Sequence, residues 1–400
     1  MKVWYFSENP YPAAWSADPK NLRVTLPNRI FDPEEGAKLL NRYLDEWQLC
    51  DELGMNIMIN EHHSTPTCLS ASVMMPLAML ARTTKRARLL TLGVPIGVRA
   101  DPLLAAEELS YVDVVTRGRL EMGLVKGYPT EVAPANISPP TITSRFWEAH
   151  DLIIKAMTTQ DGAFNWEGEH FQFRQVNIWP RPYQQPHPPV WTTAFGVAGV
   201  NPVADRGYRL CAGFNALSGK GIFDTYRRRY KELGRPAPDA DRFGYLAVLA
   251  VGHTREQAFE RAAKIRGYFE SSAQTSEAYT NPAGYAPVEA NVAAALRGQK
   301  TGVVRAPYYQ RDGVTPVNNV SSPTEELVRS GAVFAGTPDE VYEQLRDFYQ
   351  YIGGCGHLLP MMQGGWLSHE DTVDSMTLFA KDVLPRLAEF GSMQIEPQLA

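Results

Sequence analysis

The sequence predicts a single domain folded as an eight-stranded α/β barrel, in which parallel strands alternate with helices. Three observations predict it: short apolar, β-rich runs recur along the chain, helical patterns separate them, and a last helical pattern closes the series. Strands alternating with helices form βαβ units, and eight such units favour a barrel over an open sheet. Barrels of this kind run from about 200 to more than 400 residues, so we expect residues 1–400 to form one domain.

Eight segments have the length and apolar content of buried strands. They are residues 3–6, 56–59, 88–94, 119–125, 190–194, 208–211, 243–251 and 357–361. Helical patterns cover residues 33–53, 70–83, 102–115, 144–158, 200–206, 222–233, 255–269, 338–351 and 371–390. Asp32 and Thr337 stand directly before prolines that are followed by acidic residues, a pattern typical of helix starts.

Two longer segments interrupt the alternation. Residues 161–189 carry spaced aromatic residues and a proline-rich return, which predicts a hairpin and loop before the fifth strand. Residues 271–330, between the seventh and eighth strands, are rich in Ala, Gly, Pro, Tyr and Asn. Segments this long are usually functional lids or disordered. We interpret this one as a mobile lid beside the barrel mouth, with an inert surface elaboration as the alternative.

Composition narrows the classes of function. The chain is 44% hydrophobic and 21% charged, with a formal charge of −5, so no basic field favours nucleic acid or an anionic membrane. The first residues lack a basic leader and a cleavage site, and no window reaches the ~18 apolar residues of a membrane helix. The four cysteines fit neither a zinc motif nor a disulfide framework. We therefore expect a cytoplasmic protein with reduced thiols and no metal.

The second predicted strand ends in Glu61-His62-His63, where barrel enzymes carry active-site residues. Imidazole titrates near neutral pH and suits proton transfer. Because successive side chains of an extended segment alternate, Glu61 and His63 should face one way and His62 the other. The histidines therefore do not share a metal site without a turn, and the HExxH zinc spacing is absent. An ordinary structural histidine–carboxylate bond is the alternative interpretation.

Two further strand ends could bind a phosphate. The fourth strand ends in Lys126-Gly127-Tyr128, where lysine supplies charge and glycine lets the backbone approach. The fifth runs through small residues into a helix, whose free amides favour anions. Its candidate residues are Ala194, Phe195, Gly196 and Gly199. A surface lysine before a turn, and tight strand–helix packing, are the alternatives.

Aromatic residues gather at the ends of the first and eighth strands. They are Tyr5, Phe6, Tyr11, Trp15 and Trp366. With His63, they could line an apolar substrate pocket. Burial in the core explains them equally well.

In chain order, several motifs resemble the bacterial luciferase-like family of flavin oxidoreductases, and the resemblance covers nearly the whole chain. The motifs are residues 53–55 leading to Glu61-His62-His63, residues 107–109 with 117–123, residues 144–145, residues 189–194 with 204–207, and residues 336–341. Each is a modest signal alone, whereas their order is specific to the superfamily.

The resemblance implies a barrel that binds FMN, or in one branch a deazaflavin, across its C-terminal mouth. It implies catalysis by His62 with Glu61 beside it. The residues that it implies for the cofactor are Gly93 and Val94 under the flavin ring, and Lys126, Gly127, Tyr128, Arg145, Ala194, Phe195, Gly196 and Gly199 at the phosphate. The chain departs from luciferases at Val125, which replaces a reactive cysteine, so light emission is not expected.

The family resemblance further implies a two-component monooxygenase. A separate flavin reductase would supply reduced FMN, dioxygen would form a peroxyflavin, and a small, mostly apolar organic substrate would be hydroxylated or oxidised in a Baeyer–Villiger reaction. The family commonly forms homodimers across its early helices. The alternatives are a deazaflavin-dependent hydride-transfer enzyme and a non-catalytic flavin-binding partner subunit, against which the presence of His62 argues.

Overall fold

Eight parallel strands close into a barrel in the computed structural model, which describes residues 1–17, 21–301 and 308–393. The barrel strands are β1 (Lys2–Ser7), β2 (Asn56–Ile59), β3 (Leu89–Pro95), β4 (Leu120–Val125), β5 (Val190–Thr193), β6 (Arg209–Gly213), β7 (Phe243–Val251) and β8 (His357–Gln363). Each strand pairs in parallel with the next, and β8 pairs with β1, so the sheet closes on itself. The predicted fold class is confirmed.

One strand of this sheet was missed. The segment Val333–Gly336 pairs in parallel with residues 248–251 of β7, while residues 243–246 of β7 pair with β6. β7 is nine residues long and therefore extends beyond β6, which leaves room for a second neighbour on that edge. The segment is only four residues long and follows directly on the 271–330 insertion, so its sequence alone gives a weak strand signal.

Helices cover the outside of the barrel at Pro33–Leu53, Met74–Thr83, Pro102–Thr116, Ile142–Thr158, Val200–Arg206, Ala216–Glu232, Arg255–Ser272, Pro338–Tyr351 and His369–Leu378. The predicted bounds match at Pro33–Leu53, Val200–Arg206 and Pro338–Tyr351. The side chain of Asp32 accepts a hydrogen bond from the N–H of Glu34, which fixes the first start. The last prediction, residues 371–390, was too long: π and 3₁₀ turns follow Leu378, where Pro385 lacks a backbone donor.

Alternating side chains along the strands separate two apolar layers. Trp4 and Phe6 of β1 point into the barrel, where they pack with Leu90 of β3. Tyr5, between them, belongs to the outer layer and donates a hydrogen bond to Glu46 of helix Pro33–Leu53 at 3.0 Å. Tyr5 therefore packs under that helix and not in the mouth, which corrects its assignment to the substrate pocket.

Both insertions carry secondary structure. Phe164–Glu167 and Gln172–Val176 form an antiparallel pair before β5, and the ends of this pair bind Glu148 of helix Ile142–Thr158 through side-chain and backbone N–H groups. The described part of the second insertion holds helices Glu277–Thr280, Val288–Thr301 and Thr324–Ser330 and the short pair Tyr308–Tyr309 with Pro316–Val317.

The four cysteines are all free and buried. Burial raises the pKa of each thiol, which keeps the thiols protonated and chemically quiet. Within the described ranges, no helix is both long and apolar enough to cross a membrane.

Candidate active site

The two histidines at the end of β2 bind two different carboxylates. Glu61 Oε1 bonds to His63 Nε2 at 3.1 Å, and Glu61 Oε2 accepts a hydrogen bond from Arg99 at 2.8 Å. His62 turns the other way, and its Nδ1 lies 3.0 Å from Glu131 Oε1. Alternation along an extended segment produces this separation. Glu61 contacts His63 rather than His62, which agrees with the predicted opposite directions of these side chains, and a catalytic role of Glu61 stays a prediction.

Sequence reasoning missed Glu131. It lies in the short helix Pro129–Val132 after β4, and its side chain also accepts hydrogen bonds from the backbone N–H groups of Tyr128 at 2.6 Å and His63 at 3.3 Å. A proline followed two residues later by glutamate indicates a helix start. That signal does not identify His62 as the partner of Glu131, because β3 separates β2 from β4 and the two residues meet only in the closed sheet.

The electrostatics of the His62–Glu131 pair favour a protonated imidazole. Burial alone would lower the pKa of His62, but the hydrogen bond and charge of Glu131 and the charge of Glu8 raise it. Burial alone would raise the pKa of Glu131, but the hydrogen bond and charge of His62 lower it. Glu8 Oε2 lies 3.8 Å from Nε2 of His62. With Nδ1 held by Glu131, Nε2 is the atom through which His62 can exchange a proton.

The second pair, Glu61 with His63, is anchored to the loop after β3. Arg99 bridges Glu61 and Glu108, with N–O distances of 2.8 and 3.3 Å. Burial alone would raise the pKa of Glu61, but the hydrogen bond from His63 and the charge of Arg99 lower it. The hydrogen bond to Glu61 raises the pKa of His63. This pair links the end of β2 to the loop after β3 and leaves His63 partly exposed.

Lys126, at the end of β4, meets the second insertion. Its Nζ lies 4.0 Å from the ring centroid of Tyr285, whose hydroxyl donates to the carbonyl of Gly127 at 2.7 Å. Gly127 has a φ of +103°, a conformation that favours glycine. Burial lowers the pKa of Lys126. No carboxylate of the described residues forms an ion pair with Lys126, so its charge is available to an anionic ligand.

Arg145 offers less to a ligand than expected. Its Nε and Nη2 donate to the carbonyls of Gly97 and Arg99 at 3.1 and 3.0 Å, and its guanidinium stacks on Phe171. Two of its five N–H donors therefore hold the loop after β3.

The segment after β5 is open. Ala194 is buried and its N–H bonds to the carbonyl of Cys211, whereas Phe195 is exposed. A Cβ added at Gly196 or Gly199 would meet nothing within 4 Å. The backbone of these glycines can therefore approach a ligand closely.

Gly93 and Val125 form an apolar wall at adjoining strand ends. A Cβ added at Gly93 would lie 2.3 Å from Cγ1 of Val125, so the valine packs where a side chain on β3 would otherwise stand. Val94 points outward into the helix layer, and only its backbone faces the barrel. An apolar wall with no side chain at Gly93 would suit a planar ring system.

A cavity of about 440 Å³ lies beside the β2 end, between the loop after β1 and residues 64–69. Of the predicted pocket residues, Tyr11 lines it. Trp15 and Trp366 instead pack against each other, with ring centroids 4.9 Å apart, and Phe6 lies in the barrel interior. The predicted aromatic cluster is therefore split between cavity, mouth and core.

Residues 22–354 match the model of the luciferase-like monooxygenase family. The chain belongs to the luciferase-like monooxygenase family. An uncharacterised protein of Sinorhizobium fredii, y4wF, is 31% identical over 254 residues, which are 60% of this chain and 73% of that protein. The oxygenase component of the flavin-dependent trigonelline monooxygenase of Acinetobacter baylyi is 27% identical over 167 residues, 42% of this chain and 46% of the relative.

Solved structures share the fold of this luciferase-like monooxygenase. The monooxygenase RslO1 from Streptomyces bottropensis has a TM-score of 0.72 at 21% identity and covers 96% of this chain and 99% of its own. The oxygenating constituent of 3,6-diketocamphane monooxygenase from Pseudomonas putida, in complex with FMN, has a TM-score of 0.67 at 16% identity, over 96% and 98%. An F420-dependent secondary alcohol dehydrogenase has a TM-score of 0.62 at 12% identity, over 96% and 99%.

Proposed function

We propose that this luciferase-like monooxygenase is the oxygenase component of a two-component system. It takes reduced FMN from a separate flavin reductase and uses dioxygen to oxygenate a small, mostly apolar organic substrate, by hydroxylation or a Baeyer–Villiger reaction. The observation that carries the proposal is His62, held through Nδ1 by Glu131 at the C-terminal end of β2. Active sites of α/β barrels lie at this end.

The residues around the mouth fit FMN. The apolar wall of Gly93 and Val125 would suit a planar ring, and Lys126 supplies a cation without a carboxylate partner in the described chain. The backbone around Gly196 and Gly199 is open to a phosphate. Arg145, which donates from Nε and Nη2 to two carbonyls, would act on the phosphate less directly than Lys126.

Bound reduced flavin would supply the two electrons of the reaction, in which one oxygen atom enters the substrate and the other forms water. His62 would hold the exchangeable proton at Nε2 beside the reacting atoms, while Glu131 fixes the ring and stabilises its charge. The described insertion contacts the rim at three places, where it would limit the entry of water. Tyr285 binds Gly127 after β4, Asn319 binds the carbonyl after β6, and Gln274 accepts from the N–H of Leu22.

Oxygen reactivity tests the proposal. The chain is mixed anaerobically with reduced FMN, dioxygen is added, and flavin absorbance is followed. We expect an absorbing species that outlives the reoxidation of free flavin. His62→Ala should retain flavin and lose product by about 10²–10⁴-fold, as for loss of a general acid–base group. His253→Ala, at an exposed histidine, is the control. Reoxidation identical to that of free FMN, with every substrate tried, would reject the proposal.

The need for a separate reductase has its own test. With NADH or NADPH and oxidised FMN, the chain alone should leave the flavin oxidised, and adding an unrelated flavin reductase should restore turnover. Reduction by the chain alone would contradict the two-component assignment.

A deazaflavin-dependent hydride transfer is the second candidate, because a neighbour in fold is F420-dependent. Titration of the chain with FMN and with F420 under identical conditions separates the two. Tighter binding of F420, with reduction of F420 by an alcohol substrate, would favour this candidate. A non-catalytic partner subunit, the third, predicts equal activity of wild type and His62→Ala in the presence of its partner.

A homodimer fits the surface of the early helices. Helices Met74–Thr83 and Pro102–Thr116 expose Met75, Met79 and Tyr111 by 63%, 48% and 60%. Large exposed apolar patches commonly mark interaction sites. Sedimentation should give a dimer, and Tyr111→Arg should shift the chain toward the monomer, whereas Val314→Arg, at an exposed valine of the second insertion, should not.

A further inference from the structure

Arg23 has a buried guanidinium in which two of the three nitrogens have no hydrogen-bond partner in the described chain. The residue lies in the loop after β1 and is 4% exposed, and its Nε and Nη1 have no hydrogen-bond partner among the described residues. Its Cζ lies 5.0 Å from the ring centroid of Tyr128. Guanidinium groups are always charged and carry five N–H donors, so buried ones are ordinarily paired with oxygen acceptors.

Two carboxylates act on the charge of Arg23 but accept no hydrogen bond from its Nε or Nη1. Burial alone would lower the pKa of Arg23, but Tyr268 and Tyr128, when ionised, and the carboxylates of Glu8 and Glu131 raise it. Glu131 already binds the imidazole and two backbone N–H groups, and Glu8 Oε2 accepts from an asparagine side chain after β2 at 2.6 Å. The unmet requirement at Arg23 is therefore for hydrogen-bond acceptors.

We propose that Arg23 binds the carboxylate group of the substrate, so that the oxygenated molecule is a small organic acid with an otherwise apolar body. The inference rests on the proposed oxygenase function. A carboxylate presents two oxygens to the parallel N–H groups of a guanidinium, a geometry that neutral groups match poorly. Substrate selection thus begins with an anion held in a buried position.

The position of Arg23 suits a substrate anchor. The Tyr128 ring that lies against Arg23 also contacts His62, with ring centroids 6.1 Å apart. The next residue, Val24, lines the cavity of about 440 Å³ beside the β2 end, a volume that accommodates a small organic molecule. An acid held at Arg23 therefore has its apolar body between this cavity and His62.

The phosphate of FMN presents similar oxygen atoms and is the other possible source of an anion. Lys126 and the open backbone at Gly196 and Gly199 already offer it a cation and N–H donors. Arg23, by contrast, lies against Tyr128, whose ring contacts the proton-exchanging His62. We therefore assign Arg23 to the substrate, and the experiment separates the two sources.

Binding is measured by calorimetry on the full chain with reduced FMN under anaerobic conditions. The probes are benzoate and hexanoate, each paired with its amide. Wild type should bind the acids more tightly than the amides. Arg23→Gln should weaken acid binding by about 10- to 100-fold, the effect of losing hydrogen bonds to a charged group, and leave the amides unchanged. Arg29→Gln, at an exposed arginine of the same loop, should bind all four probes like wild type.

Arg23→Lys keeps the charge without the parallel donors and should also weaken the acids, which preserves the test if the glutamine variant fails to fold. FMN and riboflavin are titrated in parallel. Equal binding of acids and amides by wild type, no binding of either acid at millimolar concentration, or unchanged acid binding by the Arg23 variants would overturn the proposal. So would a loss of affinity for FMN but not for riboflavin. Because no oxygen is present, these outcomes are independent of the oxygenase test.

Discussion

Glu131 accepts a hydrogen bond from Nδ1 of His62 at 3.0 Å, although 69 positions separate the two residues in the chain. β3 lies between their strands, and the curvature of the closed barrel together with the turn into helix Pro129–Val132 brings the carboxylate across. The pair gives His62 a fixed ring orientation and a raised pKa. Both properties are useful to a group that must deliver a proton at one atom.

Glu131→Gln should lower the pKa of His62, because the glutamine keeps a hydrogen-bonding oxygen but removes the charge that raises this pKa. If protonated His62 is required, activity is lost as pH rises through its pKa, so this limb of the pH–rate profile should move to lower pH. Glu61→Gln is the matched control, since Glu61 contacts His63. Identical shifts in the two variants would contradict a specific role for Glu131.

Gly93→Ala should weaken FMN binding, because its Cβ would lie 2.3 Å from Val125 and displace the wall. Overpacking of this kind costs about 1–3 kcal/mol, and if binding bears that cost the dissociation constant rises by about 5- to 150-fold. The double variant Gly93→Ala with Val125→Ala removes the clash and should recover affinity. Flavin fluorescence titration measures both. A double variant as weak as the single one would show that the clash is not the cause.

Lys126→Gln should weaken FMN binding by about tenfold or more, as expected for loss of a charge-assisted hydrogen bond to the phosphate. Riboflavin, which lacks the phosphate, should bind wild type and variant equally. The same titrations on Lys155→Gln, on the outer helix Ile142–Thr158, serve as the control. A parallel loss for both flavins would assign Lys126 a structural role instead.

Tyr285→Phe should keep the ring over Lys126 and remove the hydrogen bond to Gly127. If the insertion excludes water from the mouth, looser contact should divert reduced flavin to hydrogen peroxide. The measurement is the ratio of peroxide to oxygenated product. Tyr279→Phe, in helix Glu277–Thr280 of the same insertion, provides the comparison. A ratio equal to wild type would argue against water exclusion at this contact.

Asp241→Asn should reduce the loss of stability in acid. Burial alone would raise the pKa of Asp241, but hydrogen bonds from His357, Arg209 and Lys2 lower it far below its usual range. A carboxyl with a lowered folded pKa adds stability above its unfolded pKa, about 3.9, and that stability is lost as pH falls through lower values.

The asparagine variant should therefore be less stable than wild type at neutral pH, and its stability should change less below about pH 4. Urea denaturation across this range measures it. Asp239→Asn, at an exposed neighbour, should follow the wild-type curve. Parallel curves for Asp241→Asn and wild type would contradict the assignment.

The sequence predicted the barrel because hydrophobic periodicity is local. Runs of a few residues are enough to indicate a strand or a helix. Helix Pro33–Leu53 was located to the residue by a capping aspartate and a proline. The strand Val333–Gly336 was not found, since its stability comes from pairing with the far half of β7 rather than from its own four residues. Tyr5 was misassigned because its aromatic side chain fits both the barrel mouth and the layer under the helices, and the sequence does not show which of the two a strand residue faces.

The sequence by itself showed the resemblance to the family through motifs in a characteristic order. It also placed His62 at a strand end and opposite in direction to Glu61 and His63, which follows from the two-residue period of a strand. Only the tertiary structure decided that Glu131 holds His62, that Tyr285 covers Lys126, and that Arg23 is buried without acceptors. These contacts form only when the sheet closes and the long loops cover its mouth. The separation of two residues along the chain does not predict either event.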